Sequence, residues 1–526
     1  MPLLCRKSKH SVMCEAGTTQ RQLSGPERMM KNMTDNGVYT IGSVWVVSTH
    51  NEMTFEALSD IVDILYTKYD MLKMNVAWDK QHQRFYWHKV AKEDAFSTCN
   101  YGRLSHAELF SKFENELYIG VKDKDPLWRV AFANLKNYNP QPSATHTSCS
   151  SAENTAIPSN SSCLDFYPKR VANSWSAPNE TATASHSNQS SSQIYHSAFC
   201  FICSHALLDG VGMLHVGSYF VRLVSFFLKN GCLPDHASEP VVGLGPPYES
   251  LIPEARYIGL IRALLFVARA TFKFNIRRNK VPLIRHRIFT TPKCRPRFWD
   301  RPALQQSSHS QLIVIPSDQL LALKKIKNDI NGNFSGLLMS VLSTAFVKFA
   351  YEGNDWPSTS FAYTLLRDPR RYFNRQSLTE AAFVANYIAS GMLLLVRMKK
   401  LKELSLRDYM FNLSKQITRD IKAGVGSLQA IKNATFWVDV FKNPSLVKDC
   451  VEIFSKDRRS AGRFCLFQFS NVGESTIDNI DEDLYINELH AIANQAKCGD
   501  CFCNFLVTMK IPLEHRFVVT VHVSQS

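Results

Sequence analysis

The segment "AFCFICSHALLDGVGMLHVGSYFVRLVSFFLKN", residues 198 to 230, most restricts the possible folds. Its first six residues form a continuous apolar run, which is typical of a central strand buried on both faces. The part that begins "VGMLHVGSYF" is apolar almost all round, which predicts a buried helix. Because such a strand and helix need neighbours on every side, we expect a layered α/β fold.

The chain of 526 residues is too long for one ordinary hydrophobic core, so we expect two domains. A strand pattern followed by a helix pattern appears in both halves, as in "GVYTIGSVWVV" with "FEALSDIVDILYTKYDML" and later in "QLIVIPSDQLLALKKI". We predict a disordered N-terminus (1–20), a first domain (21–235), a linker (236–300) and a second domain of related α/β type (301–526).

The composition changes abruptly to Ser, Thr, Asn and Pro over residues 137–193. Few apolar side chains there can offset the entropy of ordering the backbone, which predicts disorder. The segment separates two strand candidates, "LWRVAFANL" and "YHSAFCFICS". We therefore interpret it as an insertion within the first domain.

The formal charge of +15 favours an acidic partner, such as a membrane surface or a phosphorylated substrate like coenzyme A. We expect no nucleic acid, since no motif resembles a zinc finger, a helix-turn-helix or an RNA-binding sheet. Within the linker, a predicted helix at 255–279 carries four basic residues on one face: Arg262, Arg269, Lys273 and Arg277. Residues 256–279 either contact a membrane peripherally or pack across the domain junction.

Fourteen cysteines are scattered through apolar segments, which predicts free thiols in a reducing compartment. No run of eighteen uncharged apolar residues and no signal peptide pattern is present. We expect a cytoplasmic protein, or one peripheral to a membrane.

His205 is predicted to stand on the turn between the central strand and the buried helix. With an ordinary pKa near 6.5, a histidine placed there can act as a general base. Asp209 could orient the imidazole or pair with an arginine, and Gly210 could supply a backbone conformation that other residues cannot adopt. The alternative is a satisfied core histidine beside an ordinary Asp-Gly turn.

The stretch "SHALLDG" resembles the HHxxxDG signature of the condensation-domain and chloramphenicol acetyltransferase-like acyltransferases, which include alcohol acyltransferases and wax-ester synthase relatives. Other landmarks occur in the family's order, namely "LSGPERMM", "YTKYDMLKMNV", "DPLWRV", "IPSDQLLALKKI" with "NFSGLLMSVLSTAFVKFAY", "LLRDPRRYF" and "FSNVGE". The resemblance runs from about Arg21 to the C-terminus, apart from the Ser-rich insertion and the basic helix.

This resemblance implies two chloramphenicol-acetyltransferase-like α/β sandwich domains that meet at a central channel. His205 would remove the proton from an acceptor hydroxyl or amine as it attacks the thioester of acyl-CoA. Ser470 and Asn471 would reach the oxyanion or make a strand-end hydrogen bond.

The resemblance also implies a structural role for Asp209, salt-bridged to an arginine of the second domain. Arg367 is the preferred candidate and Arg370 the alternative. Gly210 would let the backbone approach the reacting carbonyl.

Three departures from the family pattern leave the acceptor open. Ser204 stands where the first histidine of the pair would be, a DFGWG motif is absent, and "NGNFSGLL" replaces an Asn-Asp pair. We expect a monomer with acyl-CoA as co-substrate and no other cofactor, acting on a small alcohol, lipid or amine. The alternative is an inactive protein of the same fold that binds acyl thioesters or serves as a scaffold.

A second alternative is a zinc site at the end of the chain, formed by His490, Cys498, Cys501 and Cys503. The C-x-x-C spacing suits zinc, but C-x-C in a strand is awkward and no second pair at finger spacing follows. We therefore expect no metal. His215 and the remaining histidines are interpreted as core or surface residues.

Overall fold

The computed structural model describes residues 20–525 except 38, 83, 122–124, 140–192, 237–238, 252–306, 316, 351–358, 367, 374–377, 388–391, 399–404, 426–443, 446, 450–451, 453–466, 477–483, 495–501 and 512–513. The predicted N-terminal tail up to residue 19, nearly all of the Ser-rich insertion and the basic helix at 255–279 lie outside the described residues. Gln20 already belongs to the first strand, and Tyr138, which we assigned to the insertion, packs against the fold.

Fourteen strands are described: β1 Gln20–Gln22, β2 Thr40–Thr49, β3 Met74–Asp79, β4 Arg84–Lys89, β5 Phe96–Leu104, β6 Trp128–Leu135, β7 Tyr195–Ser204, β8 Ser307–Ile315, β9 Thr359–Leu365, β10 Met392–Met398, β11 Phe467–Thr476, β12 Leu484–Ala493, β13 Phe502–Ile511 and β14 Glu514–Gln525. The α-helices of the described residues are α1 Gly25–Asp35, α2 Phe55–Lys68, α3 Lys92–Ala95, α4 His106–Ile119, α5 Gly210–Asn230, α6 Tyr248–Leu251, α7 Ser317–Asp329, α8 Phe334–Ala350, α9 Glu380–Phe383 and α10 Leu406–Val425. In the described part of the chain, 3₁₀ turns cover Asp70–Lys73 and Arg370–Tyr372.

The first sheet has the strand order β12-β2-β7-β6-β5, so the predicted central strand β7 is central. β7 pairs antiparallel with both β2 and β6. Its side chains alternate between two buried clusters: Phe199 and Phe201 belong to the cluster that includes α2 and α5, while Cys200 and Ile202 belong to the cluster that includes α4. Helices on both faces explain why the strand is apolar at every position.

Helix α5 packs closely on the first sheet. A Cβ atom at Gly217 would lie 2.6 Å from the indole of Trp45 on β2, so only glycine allows this approach. By length and composition α5 could cross a membrane, as could α7 and α8 taken as one span bent by 103°. However, 78% of the apolar window of α5 is buried inside the protein, as expected for a core helix.

The second sheet has the order β10-β9-β11-β13-β14-β8. β11 is parallel to both β9 and β13, and the other pairs are antiparallel. Three short strands, β1, β4 and β3, form a separate small sheet. The predicted repetition of an α/β arrangement in the two halves is therefore present.

Strand β12 departs from the predicted domain boundaries. It follows β11 in the chain, yet it pairs antiparallel with β2 of the first sheet, from Leu484 opposite Thr49 to Ala493 opposite Ile41. Within the described residues, the interval 301–526 thus contributes one strand to the first sheet. The strand pattern "LYINELHAIA" predicts a strand but cannot specify which sheet it joins, because that choice depends on long-range packing.

Candidate active site

His205 stands in a five-residue turn between the end of β7 at Ser204 and the start of α5 at Gly210. The Leu207 amide donates to the Ser204 carbonyl at 3.0 Å, which closes the turn. Asp209 is the N-cap of α5, and its Oδ1 accepts a hydrogen bond from the Gly212 amide at 2.9 Å. A capped helix on one side and a central strand on the other hold the turn rigidly.

The His205 ring has a defined tautomer. Its Nδ1 lies 2.9 Å from the Leu208 carbonyl oxygen. A carbonyl oxygen only accepts, so Nδ1 carries the proton and Nε2 of the neutral ring presents a lone pair. Burial lowers the pKa of His205 from its ordinary value, and the nearby Asp209 carboxylate opposes this only in part. At neutral pH the imidazole is therefore in its basic form.

Asp209 forms an ion pair with an arginine from the second half of the chain. Arg370 donates from Nη1 to Oδ2 at 2.9 Å and from Nη2 to Oδ1 at 3.2 Å. Oδ2 also accepts from the Tyr387 amide at 3.0 Å. With both oxygens committed, Asp209 fixes the loop and does not orient the imidazole, whose Nδ1 is bound to Leu208.

Every N–H of the Arg370 guanidinium has an acceptor. Besides Asp209, it donates to the Ala382 carbonyl at 2.9 Å, the Ala385 carbonyl at 3.0 Å and the Asp368 carboxylate at 3.1 Å. Burial disfavours the charged guanidinium, but the two carboxylates more than compensate and raise its pKa above the ordinary value. The buried charge is thus paired and fully hydrogen-bonded.

Arg370 replaces the preferred candidate of the sequence analysis. Arg367 lies outside the described residues. Asp209 pairs with Arg370, which the sequence analysis gave as the alternative. Arg370 begins a 3₁₀ turn and is 3% exposed, whereas the pattern "LLRDPRRYF" could not tell which arginine points inward.

The segment from α9 to Tyr387 also belongs to the site, and sequence analysis missed it. Asn386 donates from its side-chain amide to the His205 carbonyl oxygen, and the Tyr387 amide binds Asp209. Asn386 and Tyr387 are both fully buried. The polar Asn386 in the apolar stretch "AAFVANY" was the available signal, because a buried amide needs partners.

Gly210 differs from expectation. Its φ is not positive, and a Cβ atom there would meet Val472 at 3.4 Å, an ordinary contact. The tighter position is Gly212, where a Cβ would lie 3.0 Å from the Phe383 carbonyl oxygen and 3.2 Å from Leu208. Packing of α5 against Phe383 of α9 and against Leu208 therefore leaves less room for a side chain at 212 than at 210.

Ser470 and Asn471 lie on β11 close to this turn, because the next residue, Val472, faces Gly210. Ser470 is buried, while Asn471 is exposed and donates to the Ser335 hydroxyl at 3.1 Å. The pairing of β11 with β13 shifts register between Asn471 and Gly473, as in a β-bulge. Bulges redirect side chains, and this one lies beside the start of α5.

Tyr39 is a further residue that sequence analysis missed. Its φ of +64° is in the left-handed region, and its ring meets the His205 ring edge-on with centroids 6.3 Å apart. The other non-glycine residues with positive φ in the described part of the chain are asparagines, which tolerate this conformation. A strained tyrosine against the candidate base is typical of a functional site.

The structure describes some of the residues of the alternative zinc site, and it also describes His215. His490 is buried and its Nε2 lies 2.8 Å from the Glu488 carboxylate, while Cys498 and Cys501 lie outside the described residues. His215 is half-buried on α5, and its Nε2 lies 3.3 Å from the Glu380 carboxylate.

Comparison with known proteins found no matching family model and no matching curated protein. Solved structures do match over almost the whole chain. Trichothecene 15-O-acetyltransferase from Fusarium sporotrichioides aligns with a TM-score of 0.56 and 10% identity, covering 96% of this chain and 90% of that one. Polyketide synthase associated protein 5 from Mycobacterium tuberculosis aligns with a TM-score of 0.50 and 9% identity, covering 96% and 93%. The epimerization domain from the third module of tyrocidine synthetase B aligns with a TM-score of 0.50 and 10% identity, covering 97% of this chain and 92% of that one.

The chain therefore has the two-domain α/β fold of condensation-domain and chloramphenicol-acetyltransferase-like proteins, and the predicted fold class is confirmed. Identity near 10% establishes the fold alone. Because the fold serves different reactions, the activity has to be argued from the site.

Proposed function

We propose that this protein is an acyltransferase that moves an acyl group from an acyl-CoA thioester to a hydroxyl or amine acceptor, with His205 as the general base. The tautomer of His205 is the observation that carries the proposal. Its Nδ1 proton is committed to the Leu208 carbonyl, so Nε2 is the basic nitrogen. A buried, neutral imidazole on a rigid turn suits proton abstraction at neutral pH.

In this mechanism, the acceptor hydroxyl donates its proton to Nε2 of His205 while its oxygen attacks the thioester carbonyl. The C–S bond breaks as the tetrahedral oxyanion collapses, and the departing thiolate takes the proton back from the imidazolium. The reaction is balanced with no further cofactor. Ser470 and Asn471, on the bulged strand beside the start of α5, are the proposed donors to the oxyanion.

Asp209 and Arg370 act as positioning residues in this proposal. Their ion pair joins the N-terminus of α5 to the second half of the chain, and Asn386 holds the backbone carbonyl of His205 itself. These contacts fix the base relative to elements of both halves, where the two substrates would meet. Small displacements of a catalytic group lower rates strongly, so this support is part of the site.

The net charge of +15 suits attraction of the phosphates of coenzyme A. The acceptor is a small alcohol, a lipid or an amine. We propose a monomer that works in the cytoplasm or at a membrane surface, with residues 256–279 as the contact to test by co-sedimentation with anionic vesicles at low salt.

The decisive assay is release of free thiol from acetyl-, octanoyl- and palmitoyl-CoA by the full chain, with and without a pool of alcohols and amines. Acceptor-dependent release by the wild type and its loss in His205→Ala would support the proposal. His82→Ala, which changes an exposed histidine paired with Asp79, serves as the matched control. Binding of acyl-CoA without turnover by the wild type would instead support the alternative of an inactive thioester-binding protein.

A further inference from the structure

A second cluster of reactive side chains lies where β12 joins the first sheet, on the face covered by α4. It consists of His106 in the first turn of α4 and Glu488 and His490 on β12. No local sequence pattern connects His106 with Glu488, because the two residues are 382 positions apart. The pairing of β12 with β2 in the first sheet brings these residues together.

The donor atoms of these three side chains converge. Nε2 of His106 lies 2.9 Å and Nε2 of His490 lies 2.8 Å from the same oxygen, Oε2 of Glu488. All three atoms lie within 4.8 Å of one another.

We propose that His106, Glu488 and His490 form a zinc site, with one ligand atom from each side chain. Two imidazole nitrogens and a carboxylate oxygen are a donor set that Zn²⁺ accepts in tetrahedral geometry. Zn–N and Zn–O bonds of about 2.1 Å place neighbouring ligand atoms roughly 3.4 Å apart. The observed separations of 2.8 and 2.9 Å need to open by only about half an ångström to admit the ion.

A surrounding shell already orients the ligands. The Tyr138 hydroxyl donates to the other carboxylate oxygen, Oε1 of Glu488, at 2.9 Å and thereby turns Oε2 toward the imidazoles. The Tyr138 ring stacks on His106 with centroids 5.7 Å apart, and Phe110 packs 4.3 Å from His490. The Tyr138 hydrogen bond is an outer contact of the kind that orients a metal ligand, whereas the buried Nδ1 of His490 has no hydrogen-bond partner among the described residues.

The cluster also offers an entry path. The side chain of His490 is 3% exposed and that of Glu488 14%, but the side chain of His106 is 41% exposed. A cation can therefore reach the carboxylate from the His106 side, and water can occupy the fourth position.

The site would tie the two halves of the chain together. Glu488 and His490 arrive on the strand that crosses from the second half, whereas His106 belongs to a helix of the first half. Zinc would hold β12 against α4 and stabilise the folded protein by mass action. This inference is independent of the acyltransferase proposal, since none of the three residues contacts the His205 turn in the described part of the chain.

The test is Zn²⁺ binding by the full chain after removal of metal with a chelator, measured by calorimetry and by thermal unfolding with and without Zn²⁺. We expect one zinc per chain and a Zn²⁺-dependent rise in Tm. Loss of one ligand in His106→Gln should weaken binding by about 100-fold or more and abolish the rise in Tm. The exposed position of His106 makes this variant tolerable to the fold.

His82→Gln is the matched control, because His82 is also an exposed histidine beside a carboxylate, Asp79, and should bind zinc as the wild type does. Replacement of Zn²⁺ by Co²⁺ identifies the ligands independently. A sulfur-to-cobalt charge-transfer band would assign the ion to cysteines and overturn the proposal. Absence of zinc binding, or equal binding by wild type and His106→Gln, would also overturn it.

Discussion

Arg370 and Asp209 form a forked ion pair 161 residues apart in sequence, with two N–H···O contacts of 2.9 and 3.2 Å. Their side chains are 4% and 3% exposed. The pair attaches the N-cap of α5 to the segment that follows β9, so the turn that carries His205 is held by both halves of the chain. A buried pair of this kind is costly to break and easy to test.

Removal of one partner should destabilise the protein strongly. Asp209→Ala leaves the Arg370 charge buried with one carboxylate fewer, so we expect a loss of about 3–5 kcal/mol in the free energy of unfolding. The double variant Asp209→Ala/Arg370→Met should lose clearly less stability than the sum of the losses in the two single variants. Denaturant unfolding of all four proteins measures this coupling.

The exposed pair Lys92–Asp63, with side chains 46% and 41% exposed, is the matched control. Its coupling should be below about 1 kcal/mol. Additive effects of the Asp209 and Arg370 substitutions would contradict the ion pair described here.

Gly212 and Gly210 should respond differently to the same substitution. Gly212→Ala places a methyl group 3.0 Å from the Phe383 carbonyl oxygen and should cost about 1–3 kcal/mol in stability. Gly210→Ala meets only Val472 at 3.4 Å and should change stability by less than about 0.5 kcal/mol. Chemical denaturation of the two variants checks the order, and equal costs would argue against the packing of α5 on the α9 segment.

Backbone strain at Tyr39 predicts a reversal of the usual ranking of alanine and glycine. Both Tyr39→Ala and Tyr39→Gly remove the ring beside His205, but only glycine relaxes at a φ of +64°. The glycine variant should therefore be more stable than the alanine variant by about 1 kcal/mol. At Tyr66, inside α2, the order should be the opposite by about the same amount. Thermal unfolding of the four variants decides the question.

In the proposed mechanism, the lowered pKa of His205 sets the pH dependence of acyl transfer. Since burial disfavours the imidazolium, the neutral base persists to lower pH than for a free histidine, whose pKa is about 6.5. We expect kcat/KM to fall toward acid pH with a midpoint below about 6.5, the ordinary value for a free histidine. A pH profile of kcat/KM gives the midpoint of the acid limb. A midpoint at or above 6.5 would contradict a buried, neutral base.

The sequence was sufficient to predict the strand β7, the turn at His205 and the helix α5, because each has a strong local pattern. The apolar run from Ala198 to Cys203 and the largely apolar helix α5 both follow from extensive burial in the core. The α/β class followed from these patterns and from the family resemblance.

The contacts that complete the site could not be predicted from local sequence patterns. The choice between Arg367 and Arg370 depends on which side chain a 3₁₀ turn directs inward. The tight position of Gly212, in contrast to Gly210, depends on a contact with Phe383. The exchange of β12 into the first sheet and the meeting of His106 with Glu488 are set by tertiary packing over hundreds of residues.

The most direct test of the central claim compares binding and turnover in the same preparations of wild type, His205→Ala and His82→Ala. Acyl-CoA binding is measured by calorimetry, and acceptor-dependent thiol release is measured under single-turnover conditions. We predict that His205→Ala binds acyl-CoA with nearly unchanged Kd but loses at least about 100-fold in the rate of transfer, as expected for removal of a general base. Equal rates for His205→Ala and wild type would contradict the assignment of His205 as the base.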